Sequence, residues 1–163
     1  MSNDGERKLR VAADPADVSS IDAIIDALYD VISGPAGDRD WDRLRSLYID
    51  EARMIPTGQR PTGQTGLHVM GVEEFVANAR EFMADHGFYE QEIARRTERF
   101  GNIAHAFSTY ETRWSLDDAE PFMRGINSIQ LLHLNDRWWV VTIFWDNEGE
   151  EKSIPEEYLP REA

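Results

Sequence analysis

The chain reads as a curved α+β domain built around an interior pocket, and three observations predict it. Two long apolar runs between Arg124 and Glu148 flank the polar turn Asn135-Asp136-Arg137, the pattern of an antiparallel hairpin buried on both faces. Upstream, apolar residues recur at helical spacing in two separate stretches, Ile21 to Ile32 and Val72 to Met83. From Phe88 onward the periodicity changes to that of strands. A sheet covered on both sides needs helices on one face and a second layer on the other, and a second copy of the chain can supply that layer.

Taken in order, residues 1–16 mix charge, Gly, Pro and small side chains without periodicity and are expected to form a flexible arm. Ser19, with Asp22 three residues on, has the spacing of a capping box. Ile21, Ile24, Ile25, Leu28 and Ile32 then form the stripe of the first helix, with Tyr29 beside it. Gly34-Pro35-Ala36-Gly37 stops that helix, because proline lacks an N–H and glycine tolerates the turn. Asp40 is placed to cap a short second helix with Trp41, Leu44 and Tyr48 on one face, ending near Ile49-Asp50-Glu51. A brief strand is expected around Arg53, Met54 and Ile55.

Residues 56–66 hold two Pro and three Gly and read as a loop at the rim of a pocket mouth. Gly71 opens a third helix carrying Val72, Phe75, Val76, Ala79, Phe82 and Met83 on one side and stopping at His86-Gly87. A long hairpin through Gly101 follows, and residues 117–121 turn into the closing hairpin. One domain over residues 17–148 and an acidic tail over 149–163, lying on the sheet or hanging free, complete the organisation.

Composition narrows the function. Seventeen Lys and Arg against thirty-one Asp and Glu give a formal charge of −14, which repels phosphate backbones and anionic lipid, so neither nucleic acid nor membrane is an expected partner. No cysteine is present, which removes disulfides and thiolate metal sites and fits a cytoplasmic location. No apolar run reaches the roughly 18 residues of a membrane span. The four histidines stand too far apart for a local ligand pair. Asp38, Asp40 and Asp42 resemble the start of a calcium loop, yet Arg43 and Ile49 occupy its glycine and glutamate positions. Neither a metal nor a cofactor is therefore expected, and helix capping accounts for the three aspartates.

The element order, the segment Asp-Arg-Asp-Trp-Asp-Arg-Leu-Arg-Ser-Leu-Tyr from Asp38 and the terminal strand pair resemble the nuclear transport factor 2-like (NTF2-like) superfamily, in particular its SnoaL-like branch. The resemblance covers about residues 18–148. It implies a cone: a strongly curved, mostly antiparallel sheet wrapped around three N-terminal helices and a deep apolar pocket, with a homodimer through the outer sheet face. The superfamily holds isomerases, dehydratases and cyclases as well as noncatalytic dioxygenase subunits, so the fold alone decides no function.

Strand alternation then places Asn127, Ile129 and Leu131 on the inner face with Trp139, Val141, Ile143 and Trp145, and assigns Trp138, Val140, Thr142 and Phe144 to the outer face with Ser128 and Gln130. A one-residue register change exchanges the two sets. The ketosteroid isomerases of this superfamily use a first-helix Tyr and a protonated acid on the penultimate strand to stabilise an enolate, with a second carboxylate as base. Tyr29 matches the first position loosely, and Asn127 stands where the acid would be, with an amide able to donate to an oxyanion. The base has no counterpart, because the short strand reads Met54-Ile55-Pro56-Thr57. Tyr29 is better explained as a half-buried core residue with its hydroxyl at the pocket edge.

His105, a polar group among small strand residues, is either a cavity-facing acid–base group or a satisfied structural imidazole. Glu90, Glu92, Arg95, Arg96, Glu98 and Arg99 alternate in charge and read as a solvated or edge surface. The expected pocket lining is Tyr29, Trp41, Met54, His105, Asn127, Ile143 and Trp145, around a small apolar or oxygenated organic molecule. Acid–base isomerisation, dehydration or cyclisation is the chemistry the resemblance implies. The competing reading is a noncatalytic subunit or interaction module of the dioxygenase small-subunit kind.

Overall fold

A computed structural model describes residues 12–58 and 65–162. Within them the elements run α1 (Pro15–Val18), α2 (Ile21–Ile32), α3 (Trp41–Ser46), β1 (Tyr48–Pro56), α4 (Val72–Met83), β2 (Tyr89–Phe100), β3 (Ile103–Arg113), β4 (Met123–Leu134) and β5 (Arg137–Asn147), then a 3₁₀ turn at Glu156–Tyr158. The strands form one five-stranded sheet in the order β1-β5-β4-β3-β2. Its pairs are antiparallel except β1 with β5, which is parallel.

Helix α2 forms where its apolar stripe lies, but Ser20 is the cap, its hydroxyl accepting the Ala23 N–H at 3.0 Å, one residue after the expected Ser19. Ile24, Ile25 and Leu28 are buried against the sheet, each stabilising the fold by about 1.5–3 kcal/mol. Beyond Ile32 the chain turns back through Gly34, and the Arg39 guanidinium donates to the carbonyls of Ile32, Gly34, Pro35 and Gly37 at 2.7–3.1 Å. The Ile32 carbonyl lies in the last turn of α2 and has no helical partner, so one planar fork satisfies it together with three carbonyls of the turn that follows.

Most of the expected N-terminal arm lies outside the described residues, but its end is ordered. Asp14 caps α1, Val18 is buried, and Asp17 binds Arg43. Asp40 caps α3 as expected. That helix stops at Ser46, and Tyr48 already belongs to β1, which is longer than the brief strand expected. The shortening follows from Tyr48 pairing with Val140 of β5, since a sheet bond competes directly with the helical one. Part of the 56–66 loop lies outside the described residues.

The closing hairpin turns through Asn135 and Asp136, both at positive φ (55° and 58°), the geometry of a two-residue turn matched to strand twist. A bulge in the β4–β5 pair corrects the expected faces. Gln130 lies opposite Thr142 but Leu131 opposite Val140, which leaves Val141 as the extra residue. Asn127, Ile129, Leu131, Ile143 and Trp145 share the inner face as alternation predicts, whereas Trp138 and Val140, assigned outward, are buried inward at 3% and 0% exposure. Trp139 and Val141 lose the inner positions because one inserted residue inverts the pleat beyond it.

The tail folds back over the outer sheet face. Tyr158 meets Phe107 edge to face at 5.0 Å, its carbonyl accepts from Thr109 Oγ1 at 2.7 Å, and Arg96 lies over its ring. Among the described residues no helix is long and apolar enough to cross a membrane.

Candidate functional site

The site forms where the C-terminal half of α2 meets the start of β2, and two small residues fix that meeting. Gly34 exchanges both backbone hydrogen bonds with Phe88 (2.8 and 3.0 Å). Ser33 Oγ accepts the Glu90 N–H at 3.0 Å and donates to the Tyr29 carbonyl at 2.7 Å. Helix and strand are thereby locked in register, so that Tyr29 and the Glu90 side chain approach the same inner patch of sheet.

On β3 that patch presents Ser108, Tyr110 and Thr112, all at 0–1% exposure, and on β4 Asn127 at 5%. The Tyr29 hydroxyl lies 2.6 Å from Ser108 Oγ, and Asn127 Nδ2 donates to the same phenolic oxygen at 3.0 Å. Asn127 Nδ2 also stands 3.5 Å from Glu90 Oε1, and Thr112 Oγ1 donates to Glu90 Oε2 at 3.4 Å. Ser108 donates to Glu92 Oε2, and Arg95 grips the Glu92 carboxylate with its closest contact at 2.7 Å. A bulge at Ile93 makes this grip possible: Glu92 lies opposite Tyr110 and Ala94 opposite Thr109, so Arg95 turns inward opposite Ser108.

Desolvation pushes Glu90 up to about 7, against the hydrogen bonds from Asn127 and Thr112, which act in the opposite sense. Burial, then the negative field of Glu90, raises the Tyr29 hydroxyl well above the ordinary tyrosine range. Tyr110 is raised for the same reasons, and its hydroxyl donates to Asn147 Oδ1. Gly125 makes room for that bond. A Cβ there would stand 2.4 Å from the Asp146 carbonyl, 2.5 Å from the Tyr110 hydroxyl and 2.6 Å from Asn147 Oδ1.

Tyr29, Glu90 and Glu92 line an open cleft of about 690 Å³ between α2 and β2. Its other walls carry Ala16, Ala23 and Ala27 together with Asp17, Asp26 and Asp30, so the lining is mixed and acidic rather than apolar throughout. Arg43 spans the far rim, bound to Asp17 at 2.8 Å and Asp30 at 2.5 Å, and it holds the Asp17 carboxyl below the usual carboxylate range. Among the described residues no group of three or more acidic or imidazole side chains is placed to hold a metal ion.

Of the residues singled out in the sequence, Tyr29 and Asn127 are brought into direct contact, and Trp145 is the cross-strand neighbour of Asn127. Ile143 and Met54 pair on β5 and β1 and are buried, as is Trp41, whose indole N–H donates to Asp38. His105 is not part of this site. It lies on the opposite face of the sheet, where its Nε2 meets Ser128 Oγ at 2.8 Å beside the Phe107 ring. There Phe107, Ser128, Phe144 and the tail residues Ile154 and Pro155 border a second hollow of about 460 Å³.

Glu90, Glu92 and Ser108 are the residues that sequence reasoning missed. The signal was present on β3, where Ser108, Tyr110 and Thr112 continue the inner face begun by Ala104 and Ala106 with three hydroxyls. A polar run on a buried face calls for polar partners opposite it.

The fold is NTF2-like. No family model and no curated protein matches the chain. Solved structures do. An NTF2-like protein of unknown function from Pseudomonas putida aligns at TM-score 0.62 with 14% identity, over 81% of this chain and 87% of its own. A putative calcium/calmodulin-dependent protein kinase type II association domain from Thiobacillus denitrificans aligns at 0.62 with 16% identity, over 80% and 96%. An NTF2-like protein of unknown function from Silicibacter pomeroyi aligns at 0.55 with 15% identity, over 78% and 92%.

Proposed function

We propose that this NTF2-like chain is a SnoaL-like small-molecule protein whose cleft between α2 and β2 carries out acid–base chemistry on an oxygenated organic compound. The observation that carries the reading is Glu90: a half-buried carboxyl pushed up to about 7, directly beside the Tyr29–Asn127 pair and open to a cleft of about 690 Å³. A group poised near neutrality accepts and returns a proton with little penalty in either direction. The carboxylate absent from β1 is thus supplied from β2. Isomerisation, dehydration or cyclisation of an enolisable carbonyl compound needs these parts, namely a base near neutrality and hydrogen-bond donors close to a developing oxyanion.

The test is a thermal-shift screen of enolisable ketones and hydroxylated aromatics, followed by solvent-deuterium incorporation into the compounds that bind. Incorporation catalysed by the wild type and lost in Glu90→Gln supports the reading. No stabilising compound, or equal incorporation in Glu90→Gln, overturns it.

A second reading concerns association through the outer sheet face, in a homodimer or with a larger protein. What favours it is that Phe100, Ile103, Leu134 and Phe144 stand on that face with 85%, 62%, 50% and 41% of their surfaces exposed. The tail already covers the Phe107 region, so the contact is confined to the remainder of the face. Sedimentation of the chain alone at micromolar concentration separates the cases: a two-fold mass supports the homodimer, and an 18.7 kDa species excludes it.

A further inference from the structure

We propose that Glu92, Ser108 and Tyr29 form a two-step proton relay joining the buried Tyr29 hydroxyl to the open cleft, with Ser108 as its positioning residue and Glu92 as its port. The inference extends the acid–base reading of the same cleft, and its test needs no ligand.

The direction of each bond follows from what each group can do. A carboxylate accepts only, so the contact between Ser108 and Glu92 places the serine proton on the glutamate side. With its own proton committed, Ser108 Oγ can only accept from Tyr29, 2.6 Å away. The remaining lone pair of the phenol then accepts from Asn127 Nδ2 at 3.0 Å. The chain therefore has one polarity, from Asn127 through Tyr29 and Ser108 to Glu92, and no proton is shared ambiguously. At its outer end Arg95 contacts both Glu92 oxygens (3.0 and 3.1 Å from Nε) and reaches Asp22, whose side chain is 84% exposed.

When a proton from cleft water binds Glu92, the polarity reverses. Glu92 donates to Ser108 and Ser108 to Tyr29, while Asn127 Nδ2 still donates to the phenol oxygen, so the phenol proton is released from Ser108 and available to a bound acceptor. If the phenol then gives its proton to a bound oxyanion, the Ser108 proton replaces it, the Glu92 proton replaces that of Ser108, and Glu92 ends ionised. One proton enters at the carboxylate and one leaves at the phenol, while Ser108 is unchanged. Tyr29 is thereby recharged from one carboxylate while the other, Glu90, remains free to act as base.

The charged and titratable groups facing this chain are Glu90 and Arg95 on β2, Asp22, Asp26 and Asp30 on α2, Asp17 on α1, Arg43 on α3 and Tyr110 on β3. Exchange of the Tyr29 hydroxyl is read directly from the deuterium isotope shift on its ring carbon in tyrosine-labelled protein, with the resonance assigned through Tyr29→Phe.

Ser108→Ala and Glu92→Gln are expected to slow that exchange by about a hundredfold, and Ser108→Thr, which keeps a hydroxyl, to restore it to within roughly threefold. Unchanged exchange in Ser108→Ala and Glu92→Gln overturns the relay, and so does equal slowing in Ser108→Ala and Ser108→Thr, because packing alone would then explain it. Should Ser108→Ala fail to fold, Glu92→Gln decides alone: it is isosteric, half-buried on the cleft wall and keeps an acceptor oxygen. A working relay in a protein that binds none of the screened compounds would refute the proposed chemistry and leave the relay standing.

Discussion

Glu90→Gln isolates the energetic cost of an ionised carboxyl in the α2–β2 interface. Burial raises the folded-state value from the ordinary 4.5 to about 7, so the folded protein holds this proton more tightly than the unfolded chain. The sign follows: the contribution of Glu90 to stability is fully present below about pH 4.5 and is lost as pH rises toward and through 7. The gap between the two values corresponds to at most about 3.4 kcal/mol, and because the half-buried carboxyl lines the open cleft, about 1–3 kcal/mol is expected. Glutamine keeps the shape. Its oxygen accepts from Asn127 Nδ2, and its amide donates to Thr112 Oγ1, the two partners of the carboxylate. Urea unfolding followed by tryptophan fluorescence should therefore find the two proteins equally stable near pH 4.5 and the variant more stable by about 1–3 kcal/mol at pH 8. Comparing the proteins at each pH cancels every other titrating group. Parallel profiles for wild type and Glu90→Gln between pH 4.5 and 8 would refute the assignment of a buried, proton-retaining Glu90.

Gly125→Ala should cost about 3 kcal/mol or more, lowering Tm by roughly 10 °C, because the new Cβ meets the Asp146 carbonyl at 2.4 Å and collides with the Tyr110–Asn147 bond; thermal unfolding measures it. Thr142→Val should raise stability by about 1 kcal/mol in the same assay, since Thr142 Oγ1 is buried with no hydrogen-bond partner among the described residues and its removal ends an uncompensated desolvation.

Much of the framework was legible residue by residue. The apolar stripe of α2, the Asp40 cap and the Asn135-Asp136 turn each depend on neighbours within a few positions, and each appears where local chemistry puts it, within one residue for the α2 cap. Half of the site was also legible as candidates, because Tyr29 sits beside a helical stripe and Asn127 interrupts an apolar strand, although the pairing of β4 with β5 was needed to fix the face of Asn127. Glu90 and Glu92 were not. An alternating charged strand looks the same whether water or a helix covers it, and β2 is indeed an edge strand whose C-terminal half, Arg96 to Phe100, is exposed. Its N-terminal half is covered because Ser33 and Gly34 tie α2 to Glu90 and Phe88, contacts between residues more than fifty positions apart.

The bulges mark the same boundary. Strand period assigns each side chain to a face only while the pairing continues without an inserted residue. One insertion at Val141 carried Trp138 and Val140 inward, and another at Ile93 brought Arg95 to Glu92.

By itself, then, the order of residues determined which segments become helices and strands and where the two hairpins turn. Only tertiary packing decided which carboxylates join Tyr29 and Asn127. A carboxyl acquires acid–base character from the water it loses and the partners it meets, and both are set by what the fold lays across it.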